Sequence, residues 1–117
     1  MTWGPILLAE LDALVAQELK ECPPQWRALY ERAGIEPEKW QLPPWGDEGS
    51  GFWVVAIHEG RVLWYNDIEE GWNVSTFSRR GLIDGYWCNQ DPLELALPQL
   101  AGEPGVRLGP PQPIGDL

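Results

Sequence analysis

Residues 52–91 read FWVVAIHEGRVLWYNDIEEGWNVSTFSRRGLIDGYWCNQD, and the fold turns on them. Two β-rich runs, FWVVAIH and RVLWYN, meet across Glu59-Gly60. A two-residue loop with glycine in second place supplies positive φ and matches the twist of paired strands, so the spacing predicts a hairpin. Carried on without interruption, that register sets Ile57 against Val62, Val55 against Trp64 and Trp53 against Asn66 on one face. The other face pairs His58 with Arg61, Ala56 with Leu63 and Val54 with Tyr65. Both faces come out mostly apolar, so neither is simply solvated. Helices are expected on one; a connecting arm, a second copy of the chain or a ligand must cover the other.

Downstream, the acidic turn Asp67-Ile68-Glu69-Glu70-Gly71 leads into an alternating third strand, Trp72 to Phe77. Leu82 to Cys88, interrupted by Asp84-Gly85, reads as a fourth. Asp91-Pro92-Leu93-Glu94 has the order of a helix start, with Asp91 as N-cap, Pro92 in first position and Glu94 completing a capping box. Upstream, Pro5 opens a helix predicted to run to Glu21, with Leu8, Leu11, Val15 and Leu19 on one face and Leu7 and Leu14 widening it. Cys22-Pro23-Pro24 breaks it and starts a short second helix, in which Trp26, Leu29, Tyr30 and Ala33 share a face and Gly34 gives the stop. Residues 35–51, with three prolines and three glycines, read as an arm without long regular structure, docked by Trp40, Leu42 and Trp45. The expected fold is α+β: two N-terminal helices, an antiparallel sheet of about four strands and a short C-terminal helix. Residues 1–100 form one domain, and 101–117 a Gly/Pro-rich tail.

Eighteen acidic residues against eight basic give a net charge of −10, spread along the chain rather than gathered in a tail. Such a field repels nucleic acid and anionic membranes and attracts basic partners. The single histidine argues against a histidine-based zinc site. Cys22 and Cys88 lie outside any CxxC pair, and Cys88 between Trp87 and Asn89 reads as a small buried residue. No basic leader precedes a long apolar stretch and no run approaches membrane-spanning length, which sets the expectation of a soluble, cytoplasmic protein.

Asp67, Glu69 and Glu70 are the tight carboxylate cluster of the chain. A solvated turn is the plain reading and contact with a basic partner the functional one; a metal site lacks EF-hand spacing and a histidine. His58 next to Arg61 reads as a surface pair at the hairpin end. Arg79-Arg80 reads as a solubilising doublet or an ion pair with the acidic turn. No glycine-rich loop opens a helix, so phosphate cradling has no support. Eight tryptophans exceed what one small core readily encloses. Core and arm packing takes most of them, with a protein interface or a small-ligand groove as alternatives for the rest.

The runs Tyr65-Asn66-Asp67-Ile68-Glu69-Glu70-Gly71 and Tyr86-Trp87-Cys88-Asn89-Gln90-Asp91 resemble a group of small bacterial proteins with no established activity, over residues 43–97. More loosely, a small acidic plan of helices followed by an antiparallel sheet is similar to bacterial immunity proteins that neutralise toxins. That resemblance implies a non-enzymatic binding domain without cofactor, directed at a basic protein effector. Asp67, Glu69 and Glu70 would then steer and pair with basic groups, while Tyr65, Trp72 and Trp45 supply desolvated anchors. The competing expectations are a homodimer built on the spare sheet face, and a small-ligand or sugar-binding module.

Overall fold

The computed structural model describes residues 5–45 and 50–102. Helices α1 (Leu8–Leu19) and α2 (Pro24–Ala33) come first, followed by strands β1 (Gly34–Trp40), β2 (Phe52–His58), β3 (Arg61–Asn66) and β4 (Gly71–Thr76), and then helix α3 (Leu93–Leu100). The strands form one antiparallel sheet in the order β1-β2-β3-β4. This is the α+β fold expected from the sequence, but two of its parts differ.

The first difference is the identity of the fourth strand. It is β1, inside the stretch read as an irregular arm, and not the segment from Leu82 to Cys88. Pro37 is tolerated because β1 is an edge strand and bulges there: Gly34 pairs with Ala56 but Glu38 already pairs with Val54. The 82–88 segment instead crosses the sheet face away from the helices. Ile83, Tyr86 and Trp87 are buried there against Phe52, Val54 and Trp64, together with Trp40 and Leu42. Polar bonds hold this cover. Trp64 Nε1 donates to Ser75 Oγ, which donates to the Gly85 carbonyl, and Asn66 Nδ2 donates to Tyr86 Oη and to the Trp87 carbonyl. Asn73 clamps the Asn89 backbone at both its N–H and its carbonyl. The apolar face on which a homodimer was expected to rest is therefore covered by the chain itself.

The second difference is a β-bulge. The hairpin pairs as predicted from His58–Arg61 through Ala56–Leu63, but Val54 then faces Trp64 and Trp53 faces Tyr65. Val55 is the extra residue, and it joins Ala56 on the helix side. The slip falls on β2: beyond it Val54 faces the covered side and Trp53 the helix side, the reverse of an unbroken alternation from Ile57. Strand β3 keeps Val62 and Trp64 on the covered side and Leu63 and Tyr65 on the helix side. Glu59 and Gly60 both have positive φ, as the two-residue turn demands.

On the helix side, Leu11 and Val15 of α1, Leu29 and Ala33 of α2, and Leu93 and Leu97 of α3 pack on Leu63, Trp72 and Val74. Helix α1 begins at Leu8 rather than Pro5, because Ile6 is held extended: its N–H donates to Asp67 Oδ2 at 2.9 Å and its carbonyl accepts from Trp53 Nε1 at 3.2 Å. Leu8, expected inward, is 42% exposed. Asp91 is not the cap of α3. Its backbone pairs with Trp72, and its Oδ2 accepts from Gln99 Nε2. The expected tail beyond Gly102 lies outside the described residues. Among the described residues no helix is long and apolar enough to cross a membrane.

Candidate functional site

The extended N-terminal residues and the β3–β4 turn enclose a cleft of about 220 Å³ lined by Pro5, Ile6, Glu10, Tyr65, Asp67 and Glu70. The turn is built by Asn66, whose Oδ1 accepts the N–H groups of Ile68 and Glu69, while Glu70 takes positive φ before β4. The Ile6–Asp67 bond closes the cleft across 61 residues of sequence. Glu10, in the third position of α1, reaches back to accept the Leu7 N–H at 3.0 Å, half of a capping box that also fixes its carboxylate on the cleft wall.

Three of the six residues expected at a partner site, Tyr65, Asp67 and Glu70, thus meet here. Their environments differ. Glu70 is exposed, whereas Asp67 is buried. Burial pushes the Asp67 carboxyl above its usual range, against the lowering effect of the Ile6 N–H and of nearby Lys39. Tyr65 is buried with its ring edge-on to Trp72 at 5.0 Å. Its hydroxyl is pushed up by burial first, then by Glu70, Glu18 and Asp67.

The other three are placed elsewhere. Glu69 is half-buried on the outer side of the turn, where its carbonyl accepts from Gln90 Nε2. Trp72 is fully buried and its indole N–H donates to Glu18, so it is a core side chain and not a surface anchor. Trp45 stacks on Tyr86 over the covered face, with ring centroids 4.1 Å apart. Cys88, expected buried, is exposed: its neighbours on either side are tied down through Asn66 and Asn73 and leave residue 88 facing outward. Arg80 pairs with Glu38 of β1 rather than with the acidic turn.

Glu10, Pro5 and Ile6 carry no site signal in the sequence. Glu10 carries only a helix-start signal, and nothing local joins it to a turn that far along the chain. Among the described residues, no three His, Cys, Asp or Glu side chains converge to hold a metal ion. What the arrangement can do is attract and hold a cation: three carboxylates and a phenol open on a cleft whose remaining walls are apolar. Leu7 (65% exposed) and Ile68 (42% exposed) each follow a cleft residue in the chain and are exposed apolar side chains.

Asp67 gives a stability prediction. A carboxyl raised by burial favours its protonated form in the folded state, so its charge costs stability above the raised pKa, and the cost fades as pH falls toward the ordinary carboxylate value. Asp67→Asn keeps an oxygen acceptor for Ile6 and removes that charge. It should leave stability at pH 7 within about 1 kcal/mol of the parent and flatten the pH dependence through the window between the two values. Denaturant unfolding at a series of pH values measures both. Steepening of the dependence would reverse the assignment.

Comparison of the chain with family models, with curated proteins and with solved structures finds no match in any of the three.

Proposed function

We propose that this domain is a non-enzymatic binding protein that receives a basic segment of a protein partner at the cleft between the N-terminal residues and the β3–β4 turn. The observation that carries the reading is that Glu10, Asp67 and Glu70 line one cleft, with exposed Leu7 and Ile68 next in the chain to cleft residues, in a protein of net charge −10. Charge of one sign raises encounter rates with an oppositely charged partner, and exposed apolar side chains beside it supply area that binding removes from water. The most concrete form of the proposal is an immunity-like inhibitor of a basic bacterial effector. Inhibition then needs no chemistry, only a partner surface kept covered.

The test uses the tagged chain as bait in lysate of the cells that make it, washed with a salt series. A stoichiometric basic partner released by salt is expected. With that partner in hand, Glu69→Lys/Glu70→Lys should slow association about tenfold at low ionic strength and much less at high. Equal association rates at low salt would overturn the steering role of the turn.

A further inference from the structure

The Tyr65 hydroxyl has no hydrogen-bond partner among the described residues, although the side chain is only 9% exposed and lines the cleft. The ring is packed away, while the hydroxyl oxygen is not among the buried unpartnered atoms and is left open to the cleft. Burial first, and then the carboxylates of Glu70, Glu18 and Asp67 around it, keep the phenol protonated. A neutral phenol presents an oxygen that accepts an N–H and a proton that can go to a carboxylate.

We propose that the cleft is a socket for one arginine side chain of the partner segment, its guanidinium held between Glu10 and Glu70 with one N–H on the Tyr65 hydroxyl. This deepens the proposed function and rests on it. The acceptors approach from three elements: α1 carries Glu10, β3 carries Tyr65 and the β3–β4 turn carries Glu70. A planar fork of five N–H groups meets acceptors spread this way better than a compact ammonium does, and its weak hydration suits walls made by Pro5 and Ile6. Glu10 commits one oxygen to Leu7. Asp67 commits one to Ile6 and has Lys39 nearby, so it contributes charge from below rather than a direct pair. The volume, about 220 Å³, is the scale of one long side chain and falls below the roughly 300–1,000 Å³ of small-molecule pockets. Exposed Leu7 and Ile68 would receive apolar neighbours of the arginine.

The experiment is an NMR titration of the full chain with a capped pentapeptide holding a central arginine between leucines. The same peptide with citrulline, the same peptide with lysine, and free arginine serve as comparisons. The arginine peptide should shift the amide signals of Ile6, Leu7 and Ile68. The citrulline peptide, isosteric but uncharged, should bind at least about tenfold more weakly. Tyr65→Phe keeps the ring against Trp72 and should weaken the arginine peptide about tenfold while leaving the citrulline peptide unchanged. Equal binding of the arginine and citrulline peptides, shifts confined to another face, or indifference to Tyr65→Phe would overturn the socket. Free arginine binding as tightly as the peptide would overturn the assignment to a protein segment. If Tyr65→Phe and the parent capture the same salt-released partner equally well, the socket fails and the proposed function stands. If the peptide behaves as expected but no basic partner is captured, the proposed function fails by itself.

Discussion

Gly71→Ala should destabilise the protein by roughly 3 kcal/mol, lowering the midpoint of thermal unfolding by about 12 °C for a chain of this size. Gly71 opens β4 where the strand passes the backbone of residues 89–90. A Cβ built there would stand 2.3 Å from the Gln90 Cα and 2.5 Å from the Asn89 carbonyl oxygen. Both are main-chain atoms, so no side chain can swing away. The 89–91 segment is also stitched to β4 on either side of the contact. The Trp72 N–H donates to the Asp91 carbonyl at 2.9 Å, and the Asn89 N–H donates to Asn73 Oδ1 at 2.9 Å. Relief of the clash therefore breaks those bonds or displaces the entry into α3. Gly60→Ala is the control. Gly60 has φ of +79° but nothing within 4 Å of its Cβ, so it should lose only about 1 kcal/mol through backbone strain. Denaturant melts of the two variants side by side separate steric exclusion from conformational preference. Equal losses would show that the close approach at Gly71 is not what holds the segment.

The contrast between the two glycines also marks what was legible in the sequence. Gly60 announces itself, because a turn between two β-rich runs has a local signature. Gly71 does not, since its constraint comes from a segment that reaches it only in the folded chain. The same division runs through the fold. The face of α2, that of α1 beyond the exposed Leu7 and Leu8, and the start of the hairpin follow from periodicity and turn chemistry. The bulge at Val55 does not, because an apolar run of the type FWVVAI has no polar residue to reveal a slip of register. β1 was hidden by Pro37, which edge pairing and a bulge accommodate. The 82–88 segment has strand-like composition because it is buried, but it lies on top of the sheet instead of beside it.

The candidate site divides in the same way. Tyr65, Asp67 and Glu70 are neighbours in sequence, and the acidic turn drew notice to them. Trp72, expected as an anchor beside them, instead takes the inward position opposite Tyr65 and packs against it. Glu10 lies on the exposed side of α1, and only the Ile6–Asp67 bond makes that side a cleft wall. One hydrogen bond between distant main-chain and side-chain groups thus converts two ordinary surface features into a single concave one.

Glu18→Ala should cost about 3 kcal/mol, by a different route. Helix α3 has Pro92 at its N-cap position, and no side chain of its own caps it. The cap comes from α1. Glu18 Oε1 accepts the Leu93 N–H at 2.8 Å across 75 residues, and Oε2 accepts from the Trp72 indole at 3.3 Å. One carboxylate therefore ties both N-terminal-helix packing and the α3 start to the buried face of β4. Its removal strands two donors, the Trp72 indole being fully buried, and each unsatisfied buried donor costs about 1–3 kcal/mol. Glu18→Gln tests the charge separately. A single amide oxygen can satisfy one donor while its NH₂ group faces the other, so the glutamine variant should recover only part of the loss. A double-mutant cycle with Trp72→Phe isolates the indole bond, because phenylalanine keeps an aromatic ring and deletes the donor. Glu18→Ala should be less damaging in that background by about 1–2 kcal/mol, the share that belonged to the indole. Strict additivity would instead place the whole effect of Glu18 on the α3 cap, and would predict that hydrogen exchange at the start of α3 accelerates while the core of β4 stays protected.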